Sequence, residues 1–358
     1  MYALIQKDDE KSNSISKHFS DEIELVTIDG SPMKMPISCL YHTIKKKKKP
    51  KAIIIRYLND YKSLSRSTLR TCTDLSTVLL AKILKMKIYW MCHNVDKESK
   101  EHHPLLTKLR RKTIIKTASK IVVTDFLLKK YAEDFLKVKS DKLDYITFGE
   151  PNFYEKVDEK DGMHQKIISF INKNKKENTI VGLSIGNPNN KVRHLFYTNE
   201  LIKKGKEKGL DIKIIIGGPL RTFMKSTDII EYKKLLSNSN VLLLEGKIQI
   251  NEKYLSKFID FYWRAYSDYS VPFSVYNATY LKKPLLSLEL GLLQEMIIKY
   301  DIGVVLEKDM NNILDIISYL NDNKKEIFET FNRNHNWQLA AKRLEKLLIN
   351  SSRENIRL

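Results

Sequence analysis

Short β-branched runs alternate with longer amphipathic stretches along this chain, and that alternation limits its fold more than any other feature. "AIIIRY" (52–57), "KIYWM" (87–91) and "KIVVT" (120–124) have strand length and strand composition, and each is followed by residues at helical spacing. Strands linked by helical crossovers run parallel, so the chain is α/β and its sheets carry helices on their faces. After the first of these strands a helix is expected from about Ser67 to Lys85, with Leu75, Val78, Leu79 and Ile83 on its apolar face. Pro104 opens a second helix, at a position where a missing amide hydrogen costs nothing. Leu143–Thr147, Tyr2–Gln6 and Glu22–Thr27 complete the strands of the first half.

A polar stretch, "EPNFYEKVDEKDGMHQKIISFINKNKKEN", then interrupts the pattern and marks a linker followed by one helix. Beyond it the rhythm restarts with strands at Thr179–Ser184, Ile212–Ile216, Val241–Leu244, Asp260–Trp263, Pro284–Leu288 and Gly303–Leu306. Two Rossmann-like domains follow, 1–150 and 151–332, which suits 358 residues because one core rarely serves so long a chain. The closing segment, 333–358, is an amphipathic helix with Trp337, Ala341, Leu344 and Leu348 on one face, expected to pack back toward the first domain.

A content of 42% hydrophobic and 30% charged residues excludes a disordered chain. No run reaches the roughly 18 apolar residues of a membrane span, and the opening "MYALIQKDDEKSN" turns charged too early for a signal peptide, so a cytoplasmic protein is expected. Cys39, Cys72 and Cys92 lie far apart and imply neither disulfides nor a zinc site. The net charge of +20 calls for a polyanionic partner. Because the basic residues are dispersed over βα units without a recognisable nucleic-acid module, nucleic acid is the weaker expectation. An anionic membrane surface is the stronger one: "HPLLTKLRRKTIIKTASK" places Leu105, Leu106 and Leu109 beside Lys108, Arg110, Arg111 and Lys112.

Parallel sheets bind ligands beyond the carboxyl ends of their strands. After Ser184, the residues Gly186, Asn187, Pro188 and Asn189 allow a tight turn, and Lys191 and Arg193 meet the start of a helix, a place suited to phosphate. In "RAYSDYSVPFSVYN" the amides near Phe273 and Ser274 open another helix, Ser274 can cap it or donate to phosphate, and Asn277 can bond a ribose hydroxyl. In the first half, His93 and Asn94 end a strand, where a histidine of ordinary pKa, roughly 6.5, can orient or deprotonate an acceptor hydroxyl. Asp96, Glu98, Glu101 and Asp125 are the carboxylates placed to serve as a base.

The text from Asp260 to Glu307 resembles the donor-binding region of GT-B glycosyltransferases, especially the family 4-like enzymes of bacterial capsule, O-antigen and exopolysaccharide synthesis. Tyr266 matches the tyrosine of their "PYR", Ala278 the alanine of "EA", Lys283-Pro284 the "K-P", and Gly291 and Glu295 the ends of "GGLPE". Three positions depart: Pro272-Phe273 replaces a small "SG" pair, Asn277 a ribose-binding glutamate, and Lys282 the glycine before "K-P". "IYWMCHN" is similar to the "W-x-x-H-N" strand ends of many polysaccharide transferases. The resemblance implies two Rossmann-like domains with parallel sheets facing an interdomain cleft, and metal-independent hexosyl transfer from a UDP or GDP sugar to a saccharide or lipid-linked saccharide at the inner face of the membrane. It implies no bound cofactor or metal; no DxD motif stands in the sequence where a metal-dependent transferase of the other main fold would carry it. It places Lys247, Ile248, Gln249, Tyr266 and Asn277 beside the nucleotide, Gly186, Asn187, Lys191, Arg193, Phe273 and Ser274 at the diphosphate, and His93, Asn94, Asp96 and Asp125 on the acceptor side. The departures keep open a non-catalytic partner subunit of the same fold.

Overall fold

The computed structural model describes residues 2–354 apart from 8, 29–30, 46–48, 99–100, 154–161, 174, 187–193, 225–227 and 323. The chain divides into two compact units. Unit 1 holds residues 1–149, 269–271 and 334–358, and unit 2 holds 150–268 and 272–333.

Unit 1 runs β1 (Tyr2–Gln6), α1 (Glu10–Ser16), β2 (Glu24–Ile28), α2 (Met35–Lys45), β3 (Ala52–Ile55), α3 (Leu64–Ile83), β4 (Lys87–Cys92), α4 (Pro104–Thr117), β5 (Lys120–Val123), α5 (Leu128–Leu136) and β6 (Leu143–Tyr145). Its strands pair in parallel in the order β2-β1-β3-β4-β5-β6. Nearly every strand residue of β1, β3, β4 and β5 is buried, as helices on both faces of a parallel sheet require.

Unit 2 runs α6 (Gly162–Asn172), β7 (Thr179–Ile185), α7 (His194–Glu207), β8 (Asp211–Gly218), α8 (Asp228–Leu236), β9 (Val241–Glu245), α9 (Glu252–Leu255), β10 (Phe261–Trp263), α10 (Ser274–Tyr280), β11 (Leu285–Leu288), α11 (Gly291–Tyr300), β12 (Gly303–Leu306), α12 (Asp315–Asn321) and α13 (Lys325–Asn334). Its parallel order is β12-β11-β10-β7-β8-β9. The last helix, α14 (Trp337–Glu354), buries Trp337, Ala341, Leu344 and Leu348 within unit 1; Trp337 packs on Phe148, and Tyr89 Oη donates to the Leu347 carbonyl.

Each sheet has one place where successive connections leave in opposite directions: between β1 and β3 in unit 1, and between β7 and β10 in unit 2. Open α/β sheets bind ligands at such switch points.

Helix α3 reverses its expected orientation. Ser67, Arg70, Thr71, Asp74, Thr77, Val78 and Ala81 face the core, whereas Leu75, Leu79 and Ile83 face solvent. A buried ion lattice is the reason. Arg70 Nε donates to Asp74 Oδ2 at 2.9 Å, Arg110 on α4 pairs with Asp60 and lies 3.8 Å from Asp74, and Asp60 also accepts from the amides of His102 and His103 and from Thr107 Oγ1. Arg110 is therefore fully buried, and Arg111 pairs with Glu98, so neither lies on a surface with Leu105 and Leu109 as the sequence implies. Removing one partner of such a lattice strands a buried charge, which fixes α3 and α4 in place.

Candidate functional site

In unit 2 the switch point is bridged by an arginine. Arg264 is the first residue after β10, it is buried, and its Nη2 donates to the carbonyl of Ile185, the last residue of β7. Its Nε donates to Ser274 Oγ at 3.1 Å. Burial lowers the pKa of Arg264 below the ordinary value, yet a guanidinium stays charged. Gly186 sits against it with φ +147°, and a Cβ there would lie 2.9 Å from Arg264 Nη2. Glycine is thus required twice, for backbone conformation and for the approach of the cation.

In the same unit, Glu252 opens α9 and meets Asn277 of α10. Tyr262 Oη donates to its Oε2 at 2.5 Å, and Asn277 Nδ2 donates to both carboxylate oxygens at 3.0 and 3.1 Å. Burial raises the pKa of Glu252, against the opposing pull of these donors and of Arg264. The Asn277 Oδ1 is buried without a hydrogen-bond partner. Asn277 therefore meets a carboxylate supplied by a residue 25 positions earlier.

Ser274 does not cap α10; its hydroxyl accepts from Arg264, and Phe273, the residue before the helix, has helical dihedrals with no side-chain cap. Lys247 and Gln249 are exposed, and Ile248 is half-buried against Gly217, where a Cβ would approach its Cγ1 to 3.0 Å. Tyr266 is half-buried. Asn187, Lys191 and Arg193 lie outside the described residues.

Tyr269–Val271, from the loop expected to serve the donor, belongs to unit 1: Ser270 bridges to Asn94, the Val95 amide donates to the Tyr269 carbonyl, and the Tyr269 ring packs on Tyr131. His93 follows β4 and stacks between Tyr57 (4.7 Å, 8°) and Phe148 (5.7 Å, 27°). Its Nε2 is buried without a partner. Burial, then the charges of Arg56, Lys11 and Lys7, hold its pKa well below 6.5, so His93 is neutral at neutral pH. Asn94 is buried and gives its carbonyl to Arg111. Asp96 is half-buried. Asp125 is 0% exposed: one oxygen accepts from the Leu127 amide, and the other lies 3.5 Å from His335 Nε2, within ion-pair range but without a hydrogen bond. Its geometry anchors the start of α5.

Sequence reasoning passed over Glu252 and Arg264. The available signals were an arginine directly after the buried run "FYW", and a glutamate behind the helix-opening asparagine of "INEKY". Among the described residues no group of three or more His, Cys, Asp or Glu side chains is placed to hold a metal, and no helix is long and apolar enough to cross a membrane.

No family model matches this chain, and no curated protein does. Solved structures match over nearly its whole length. A glycosyltransferase from Rickettsia africae superposes with a TM-score of 0.65 at 14% identity, covering 97% of both chains. Anabaena HepE in complex with UDP and glucose gives 0.65 at 11% identity, covering 98% of this chain and 100% of the other. The UDP-GlcNAc 2-epimerase of Methanocaldococcus jannaschii gives 0.52 at 13% identity, covering 98% and 99%. At these identities the likeness is one of fold. With two six-stranded parallel sheets and flanking helices, the chain has the GT-B architecture of glycosyltransferases.

Proposed function

We propose that this protein moves a hexose from a UDP or GDP sugar to a hydroxyl of a saccharide acceptor, lipid-linked and used in a cell-surface polysaccharide. The observation that carries the reading is the polar chain at the unit-2 switch point, in a fold whose solved examples include HepE with UDP and glucose. Arg264, Ser274 and Gly186, with Asn187, Lys191 and Arg193 from outside the described residues and the amides near Phe273, serve the diphosphate. Charge grows on that group as the sugar bond breaks, and fixed cations stabilise it without a metal. Glu252 accepts the ribose hydroxyls, the task the sequence assigned to Asn277, and Asn277 with Tyr262 holds it in place. Lys247, Ile248, Gln249 and Tyr266 line the nucleotide.

On the acceptor side His93 accepts the hydroxyl proton or orients it with help from Asn94; a neutral imidazole is an acceptor at neutral pH. Asp96 is the nearest partly accessible carboxylate and Asp125 the buried one. The epimerase likeness makes sugar-nucleotide isomerisation the competing chemistry, since fold alone does not select a reaction. Incubation with UDP and GDP sugars decides: nucleoside diphosphate release that needs a saccharide acceptor supports transfer, and an epimerised sugar without acceptor overturns it. Binding without turnover identifies a non-catalytic partner subunit.

The acceptor reading includes an anionic bilayer. Helices α2, α3 and α4 pack side by side in unit 1, and their outer faces expose Ile37, Ile44, Leu79, Ile83, Leu105 and Leu109, with Ile44 75% and Leu105 83% accessible. Lys45, Lys82, Lys108 and Lys112 stand among them, and the three helices contain a single acidic residue, the buried Asp74. Apolar side chains ringed by uncompensated lysines fit an anionic lipid surface. Co-sedimentation with phosphatidylglycerol vesicles but not phosphatidylcholine vesicles is expected.

A further inference from the structure

We propose that the carboxyl edge of the unit-1 sheet, at its β1/β3 switch point, is an anion-binding site built from Lys7, Lys11, Arg56 and the His93 ring between Tyr57 and Phe148. Four separate segments converge there. Lys7 follows β1, Arg56 and Tyr57 follow β3, His93 follows β4, and Phe148 lies beyond β6, with Lys11 the second residue of α1. Gln6 closes the strand ends by accepting from the amides of Arg56 and Tyr57, both at 2.8 Å. Lys7 Nζ lies 4.9 Å over the Tyr57 ring and Lys11 Nζ 4.3 Å over Phe148, so the ammonium groups rest on aromatic faces rather than on carboxylates alone.

Asp9 accepts from Arg56 Nη1 at 2.5 Å and lies 3.4 Å from Lys7, Glu10 is exposed, and Asp8 lies outside the described residues. Arg56 is 1% exposed, and its Nε has no hydrogen-bond partner; the buried His93 Nε2 has none either. Two orphaned polar atoms and two lysines around one aromatic stack form a place prepared for an acceptor-rich group. Burial first, and Arg56 and Lys7 with it, bring Lys11 to about 7 against the opposing pull of Asp9 and Glu10. An incoming anion offsets the cost of a buried charge and restores the proton.

The ligand class is a phosphate monoester or diphosphate, or a carboxylate. Where that anion belongs to the sugar acceptor, the assignment rests on the transferase reading; the site itself does not. Inorganic phosphate is titrated calorimetrically at constant ionic strength, with saturating UDP present to occupy any nucleotide site. Saturable binding is expected, about tenfold weaker in Lys11→Gln and near wild type in Lys11→Arg, with Lys234→Gln in unit 2 unchanged. At pH 8 the wild-type protein takes up a proton on binding, detected as a dependence on buffer ionisation enthalpy, and Lys11→Arg does not. Farnesyl phosphate binding more tightly than a hexose 1-phosphate identifies a lipid-linked anion, and the reverse a soluble one. No phosphate binding, or affinity unchanged in Lys11→Gln, overturns the site. Loss of UDP binding alone overturns the transferase reading and leaves this site standing.

Discussion

Both sheets place a buried arginine directly after a strand at the switch point, yet the two arginines face different company. Arg56 in unit 1 is neutralised by the carboxylate of Asp9, bonded also to Ser12 and Tyr57. Among the described residues Arg264 in unit 2 donates to a hydroxyl and a carbonyl, while the neighbouring carboxylate, Glu252, is bonded by Tyr262 and Asn277. An arginine bonded to neutral groups keeps its whole charge available to a ligand, whereas the ion-paired Arg56 offers an incoming anion its unpartnered Nε alone.

This contrast breaks most sharply at Arg264. Arg264→Ala is expected to reduce sugar-nucleotide turnover about a thousandfold, roughly 4 kcal/mol of transition-state stabilisation, measured as nucleoside diphosphate release. Arg264→Lys should recover little of it, because an ammonium lacks the fork that reaches Ile185 and Ser274 together. Turnover within threefold of wild type in either variant would equate the two arginines.

Next in size is Asp9→Asn, which keeps the cap on the Ser12 amide but removes the charge facing Arg56. Stranding that guanidinium costs about 3 kcal/mol, read from denaturant unfolding at pH 7. Against the upward push of burial, Arg56 holds Asp9 below 3.8. Its contribution is therefore present above pH 3.8 and lost as pH falls through the lower folded value, a dependence that Asp9→Asn should abolish.

Glu252→Gln tests the opposite sign. The folded pKa of Glu252 lies above 4.5, so its contribution to stability is present below 4.5 and lost as pH rises through the folded value. The glutamine variant should flatten that slope and weaken nucleotide affinity about tenfold, or 1.4 kcal/mol. An unchanged dissociation constant would remove the ribose role.

The strands were legible because short β-branched runs between polar turns allow few alternatives; Tyr2–Gln6 and Gly303–Leu306 match their predicted bounds. The facing of α3 was not. Amphipathic spacing shows that a helix has two faces, and the side that packs on the core was decided by Asp60 and Arg110, which meet 50 residues apart. The polar chain of unit 2 escaped for the same reason: Arg264 reaches a carbonyl 79 residues earlier, and Asn277 a carboxylate 25 residues earlier. What could be read locally was that Asn277 departs from the resemblance, not that a carboxylate 25 residues earlier meets it.

The smallest expected effect follows from that helix. Leu79→Ser should change unfolding free energy by less than about 0.5 kcal/mol, because the side chain is exposed, while halving recovery on phosphatidylglycerol vesicles. A large loss of stability would show that the outer face of α3 is covered in the folded protein.

The most direct measurement is calorimetric titration of UDP and GDP sugars into the wild-type protein and Arg264→Ala, with folding of both checked by circular dichroism. The account predicts saturable, one-to-one binding of at least one nucleotide sugar that disappears in the variant. Equal affinity in the two proteins, or no binding across the panel, would contradict it.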